Sequence, residues 1–135
     1  MVKSIAFICV GNSARSQIAE AIAKKMIKDR NLDLKVYSAG TNPCGYINAM
    51  AIRILEEQGI SIEGQYSKGI EDIPLQEIDL FILVCEQSNC LNLPGKKVIH
   101  WFLPDPFYYE QFYFITESLK SKIQELLDMI QMGKI

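Results

Sequence analysis

The stretch FICVGNSARSQIAEAI, residues 7–22, decides how this chain is read. An apolar run ends on Cys9, short residues fill the loop from Val10 to Ala14, and Arg15 opens a segment in which Ile18, Ile22 and Met26 share one face of a helix over about Arg15 to Asp29. A strand that turns straight into a helix points the helix's unsatisfied N–H groups into the intervening loop, which makes a cradle for a tetrahedral oxyanion. Gly11 lets the backbone approach a ligand closely, Asn12 and Ser13 brace the turn, and Arg15 adds a planar fork that holds two oxygens at once. The same positive field favours thiolate over thiol at Cys9, and Ser16 is placed to hydrogen-bond the sulfur. The loop is therefore expected to bind an oxyanion through Val10, Gly11, Asn12, Ser13, Ala14, Arg15 and Ser16, and to present Cys9 to it as a nucleophile.

Outward from this stretch the chain alternates. SIAFIC (Ser4 to Cys9), LKVYSA (Leu34 to Ala39), DLFILVC (Asp79 to Cys85) and KVIHWF (Lys97 to Phe102) read as strands, the first and third continuously apolar as buried parallel strands are. Ile47, Ala51, Ile54 and Leu55 mark a second helix closed by Gly59, and Leu119, Ile123, Leu126, Leu127 and Ile130 mark a long C-terminal one. Glu63 to Glu77 is polar and broken by Gly64, Gly69 and Pro74, so it reads as loop with one helical turn. Strand–helix alternation of this length implies an α/β fold, a small parallel sheet covered by helices on both faces, with residues 1–135 as one domain. In such a sheet ligands bind beyond the carboxyl ends of the strands, where Cys9 sits.

Composition excludes several roles. The chain has 135 residues, 49% hydrophobic and 22% charged, with a formal net charge of −2. A general nucleic-acid binder needs a basic surface to neutralise phosphates, so nucleic acid is not an expected partner. No apolar run approaches a membrane span, and the apolar start stops at a Gly-Asn turn with no small-residue cleavage site behind it, so no membrane partner and a cytoplasmic location are expected. There Cys9, Cys44, Cys85 and Cys90 would rest as thiols rather than structural staples. Cys44 has no evident partner and reads as a bystander or as packing. Cys85, Cys90 and the lone His100 fall short of a zinc ligand set.

On these residues the chain resembles the low-molecular-weight tyrosine phosphatase superfamily, whose phosphate-binding loop is Cys-x5-Arg followed by Ser. Within it, CVGNSARSQIAE and VCEQSNCLNLPGKKVIHWFLPDP are similar to the thioredoxin-coupled arsenate reductases, Ser13 and Gln17 matching their loop pattern. The resemblance implies a three-layer α/β/α fold around a four-stranded parallel sheet in the order 2-1-3-4. In that order strands 1 and 3 are neighbours, so Cys9 and Cys85 are expected at one sheet edge pointing toward one site, and the resemblance also implies a three-thiol relay. Cys9 attacks arsenate, Cys85 resolves the sulfur–arsenic adduct, and Cys90 takes the disulfide outward to an external dithiol donor such as thioredoxin, with no tightly bound cofactor. Asp105, in an Asp-Pro after the fourth strand, is implied as the general acid for the leaving oxygen.

The chain departs from the pattern in places. Five positions separate Cys85 from Cys90, where seven are common in the reductases, and Ala14 stands where cysteine is common. No metal is expected to be required. Asn12, Glu20 and Ser38 match a weak potassium site of some reductases, but Tyr66 replaces the threonine that would add a ligand oxygen. Phe107 and Tyr108, directly after Asp105-Pro106, match the aromatic wall of the phosphatases and favour the alternative, hydrolysis of phosphotyrosine or aryl phosphates through a phosphocysteine. A non-catalytic oxyanion-binding or regulatory domain is the alternative from another class.

Overall fold

Runs that are apolar at every position pair in the middle of a sheet, because neither of their faces can meet water. β1 (Ser4–Cys9) and β3 (Leu80–Leu83) are buried throughout, and they lie side by side at the centre. The computed structural model describes residues 1–86 and 91–135 and flanks them with β2 (Lys35–Gly40) and β4 (Lys97–His100), in the order β2-β1-β3-β4 with every pair parallel. The expected strand order is the observed one. β3 is shorter than its apolar run: it ends at Leu83, although Val84 N–H still donates to the Ile8 carbonyl (2.8 Å). β4 ends at His100, and Trp101 N–H closes the pairing on the Leu83 carbonyl (2.8 Å).

Three helices, α1 (Arg15–Asp29), α2 (Ala49–Glu57) and α3 (Tyr109–Gln131), cover one face. There Ile5, Phe7, Leu80 and Ile82 pack in one cluster with Ile18 and Ile22 of α1, Ile54 and Leu55 of α2, and Leu119, Ile123 and Leu127 of α3. Each such fully buried side chain contributes about 1.5–3 kcal/mol of transfer free energy. The opposite face carries Ala6, Ile8, Phe81, Leu83 and Cys85, packed against Ile73 and Ile78 and the partly buried Ile70 and Leu75. Among the described residues it is covered by two 3₁₀ turns, Ile70–Asp72 and Leu75–Glu77, together with Leu91 and Leu93; Gly64, Gly69 and Pro74 break the segment before the turns can lengthen into a helix. No helix among the described residues is long and apolar enough to cross a membrane.

Candidate active site

The loop after β1 owes its shape to where its carbonyls go. Thr41, Asn42, Cys44 and Asn48, in the segment after β2, donate N–H groups to the carbonyls of Cys9 (3.1 Å), Val10 (2.8 Å), Gly11 (2.9 Å) and Ser13 (2.9 Å), and Gln17 Nε2 donates to that of Asn12 (3.1 Å). With its carbonyls tied outward, the loop turns N–H groups inward. α1 then starts at Arg15 with no side-chain cap and no acidic residue in its first turn, so its N-terminus is open to an anion.

Two donors converge on the nucleophile candidate. Cys9 is 2% exposed, and its Sγ accepts the Asn12 N–H (3.2 Å) and lies 2.8 Å from Ser16 Oγ. Ser16 Oγ already accepts from Asn12 Nδ2 (2.8 Å), which leaves its own proton to point at the sulfur. The second Asn12 Nδ2 proton goes to Ser38 Oγ (3.0 Å), and Ser38 donates in turn to Glu20 Oε1 (2.5 Å). Asn12 Oδ1 accepts from Gln17 Nε2 (2.9 Å) and Lys68 N–H (2.9 Å), so this fully buried amide is satisfied at every position. It sits at φ +47°, in the left-handed region that asparagine tolerates better than most residues.

Arg15 is held rather than free. Its Nη1 donates to the Leu103 carbonyl (2.8 Å), and its Nη2 lies 3.8 Å from Asp105 Oδ1. The Asp105 side chain is 58% exposed, so this pair contributes little to stability; its significance is that acid and guanidinium face one cleft. The segment carrying Asp105 is anchored by Gln111 Oε1, which accepts the N–H groups of Phe107 (2.7 Å) and Tyr108 (2.9 Å) at the start of α3. The cleft, about 370 Å³, is lined by Cys9, Val10, Gly11, Ser13, Ala14 and Arg15 on one side and by Asp105, Pro106, Phe107, Tyr46 and Cys44 on the other.

Two placements differ from the expected ones. Of the two readings of Cys44, packing fails: it is an exposed free thiol on the cleft wall, and a Cβ at Gly11 would come within 2.8 Å of its Sγ. Only its position just past β2, at the edge where Cys9 lies, hinted at this. Cys85 reaches the expected sheet edge, but alternation along the strands puts it on the opposite face from Cys9. Cys9 packs in the cluster under the helices, and Cys85, fully buried, in the cluster under the 3₁₀ turns. The two therefore do not point at one site in this conformation. Cys85 is disulfide-bonded, and its carbonyl meets His100 Nε2 (3.0 Å). The lone His100 thus has a backbone partner, and its ring stacks on Phe102 (3.9 Å between centroids). Cys90 lies outside the described residues.

Sequence reasoning also missed Lys68. Its Nζ donates to the Tyr66 carbonyl (3.1 Å), sits 4.7 Å over the Tyr66 ring and lies 3.9 Å from Glu20 Oε1. Burial pushes the Lys68 pKa below the ordinary lysine value; Glu20 opposes that shift, Lys24 adds to it and Asp72 opposes it.

Gly40, the last residue of β2, lies directly beneath the loop. A Cβ there would collide with the Val10 carbonyl oxygen and come within 2.9 Å of the Asn12 nitrogen, both backbone atoms that cannot swing aside. Gly40→Ala is expected to cost about 1–3 kcal/mol of stability and to weaken phosphate binding, read from urea midpoints and a phosphate titration. Unchanged values in both would mean that the loop does not need this close approach.

The sequence pattern of the family described as low molecular weight phosphotyrosine protein phosphatase matches residues 4–134. An arsenate reductase of Staphylococcus aureus (strain Newman) is 36% identical over 127 residues, which cover 90% of this chain and 94% of that one. Among solved structures, an arsenate reductase in its phosphate-binding state superposes with a TM-score of 0.82 at 31% identity, over 95% of this chain and 98% of that one. A thioredoxin-dependent arsenate reductase of Corynebacterium glutamicum does so with a TM-score of 0.80 at 30% identity, over 98% of this chain and 63% of that one.

Proposed function

Since the chain belongs to the low molecular weight phosphotyrosine protein phosphatase family, and arsenate reductases are among its relatives at 36% identity, we propose that it reduces arsenate to arsenite with electrons from an external thioredoxin-like dithiol. The observation that carries this is a pair of sulfurs at the carboxyl edge of adjacent central strands: a free thiol at Cys9, which ends β1 in an oxyanion cradle, and a disulfide-bonded sulfur at Cys85 just past β3.

Arsenate binds in the loop, its oxygens taken by the inward N–H groups of Val10 to Ser16 and by the Arg15 fork. The Cys9 thiolate attacks arsenic, a sulfur–arsenic bond forms, and one arsenic–oxygen bond breaks. Asp105 protonates the departing oxygen, which leaves as water. The Cys85 thiolate then attacks Cys9 sulfur. A sulfur–sulfur bond forms as the sulfur–arsenic bond breaks, its electron pair stays on arsenic, and arsenic(V) leaves as arsenite. Cys90 next attacks Cys85, which frees Cys9 and leaves a disulfide for the external dithiol to reduce, so two electrons enter and two are spent on arsenic. Cys85 must leave its apolar cluster and cross the carboxyl edge of the sheet to reach Cys9, so resolution requires a rearrangement that adduct formation does not.

A second activity, hydrolysis of aryl phosphates, is favoured by Asp105 and Phe107 lining the same cleft as Cys9, since water activated by Asp105 would suffice to break a phosphocysteine. The two are separated by NADPH consumption in a thioredoxin and thioredoxin reductase coupled assay. Arsenate is expected to start consumption and phosphate to inhibit it. No arsenate-dependent consumption with any dithiol donor, alongside brisk phosphotyrosine hydrolysis, would replace the reductase with the phosphatase.

A further inference from the structure

Potassium, which the resemblance places near Asn12, Glu20 and Ser38, does not fit the groups found there. Asn12 turns its Nδ2 donor, not its oxygen, toward Ser38, and its Oδ1 is taken by Gln17 and Lys68. Ser38 spends its proton on Glu20 Oε1. Glu20 is 3% exposed, with the Lys24 ammonium 2.6 Å from Oε2 and the Lys68 ammonium 3.9 Å from Oε1. The Tyr66 carbonyl accepts from Gln17 Nε2 (3.0 Å) and from Lys68 Nζ. A cation entering here would meet two ammonium groups and oxygens already engaged by the chain's own donors. One buried oxygen beside the network, Gln65 Oε1, has no hydrogen-bond partner among the described residues, and one oxygen does not make a cation site.

We infer that Lys68 is the resident cation of this site: its ammonium supplies beneath the oxyanion loop the positive charge that a bound potassium would otherwise bring, and so acts as a positioning residue for Cys9. Its side chain is 10% exposed, buried enough for a charge to be felt across the network rather than screened by water. Tyr66, which breaks the potassium pattern, suits an ammonium instead, because it contributes a ring face below Nζ as well as a carbonyl. From Lys68 the chain of contacts runs to Glu20, Ser38, Asn12, Ser16 and Cys9. Glu20 oriented by Lys68 holds the Ser38 proton, which fixes Ser38 as an acceptor for Asn12. Asn12 so fixed donates to Ser16, and Ser16 directs its proton at the Cys9 sulfur. Lys24 does not replace Lys68, since its side chain is 45% exposed and pairs with the other carboxylate oxygen.

The inference rests on Cys9 as nucleophile but not on arsenate as substrate, so it is tested without turnover. Melting midpoints of the full chain are measured in potassium chloride and in choline chloride at matched ionic strength, together with the rate of Cys9 alkylation by iodoacetamide, mapped by mass spectrometry. The wild type is expected to show the same midpoint in both salts. Lys68→Met, which keeps the aliphatic stem, should melt lower in choline, recover part of the loss in potassium by mass action, and alkylate Cys9 about three- to tenfold more slowly. Lys68→Arg should stay near wild type in both readouts. A wild type stabilised selectively by potassium would overturn the inference, as would a Lys68→Met indistinguishable from wild type or one on which potassium and choline act alike. If Lys68→Met does not fold, the wild-type titration decides. A wild type inactive toward arsenate but indifferent to potassium would count against the reductase and leave Lys68 as the resident cation.

Discussion

Cys9→Ser is expected to abolish arsenite production and aryl phosphate hydrolysis together, by at least about 10⁴-fold in kcat, while leaving phosphate binding within a few-fold of wild type. Both reactions begin with attack by the Cys9 sulfur. A serine hydroxyl in its place is a far weaker nucleophile at neutral pH, because neither the Asn12 N–H nor Ser16 removes its proton. Binding survives because the cradle is made by other groups. The outward-tied carbonyls of Val10, Gly11, Asn12 and Ser13 and the Arg15 guanidinium held on Leu103 do not involve the sulfur. Calorimetric titration with phosphate, beside both activity assays, checks the two halves. Residual turnover above a hundredth of wild type would place the nucleophile elsewhere, and Cys44, free and exposed on the same cleft wall, would be the next to test.

Cys85→Ser is expected to separate the two reactions. A phosphocysteine is opened by water, which needs no second thiol, whereas the arsenic adduct must lose its sulfur–arsenic electron pair to arsenic, and only a second sulfur makes that possible. Coupled NADPH consumption with arsenate should therefore fall to background, and hydrolysis of an aryl phosphate should stay within about twofold. Serine introduces a hydroxyl among Ala6, Ile8, Phe81 and Leu83, which costs about 1–3 kcal/mol if it finds no partner. Cys85→Ala, without that hydroxyl, controls for simple loss of folded protein. Wild-type consumption in both variants would remove Cys85 from the reaction; consumption lost instead in Cys44→Ser would transfer the role of resolver to Cys44.

The legible parts of this protein are those written in local spacing. β1 and α1 have the boundaries their periodicity predicts, Ser4–Cys9 and Arg15–Asp29, because a continuous apolar run and a 3.6-residue repeat act within a few residues of each other. The loop between them was legible for the same reason: Asn12 and Ser16 meet the Cys9 sulfur, and Gly11 and Arg15 line the same cleft, over at most seven residues of chain. β3 was overread by three residues, Asp79 before it and Val84 and Cys85 after it, since an apolar run does not reveal where its neighbour stops pairing, and here β4 turns away at Trp101.

Tertiary structure alone decided what surrounds that loop. Lys68 sits 48 positions from Glu20, and it arrives there because Gly40 N–H donates to the Lys68 carbonyl (2.9 Å) and Gly40 forms an isolated parallel bridge with Gly69. Cys44 reaches the cleft because residues 41–48 must satisfy the loop's outward carbonyls. The separation of Cys9 from Cys85 depends on strand register, in which Ile8 lies opposite Leu83, so that residues of opposite parity fall on opposite faces of one sheet. By itself the sequence pointed to Cys9 as the proposed nucleophile and to the oxyanion loop around it, because those residues lie within one turn of chain. The arrival of the Lys68 ammonium beside Glu20, and the burial of Cys85 on the face opposite Cys9, follow from backbone pairing between segments distant in sequence, and no local pattern of residue types encodes those.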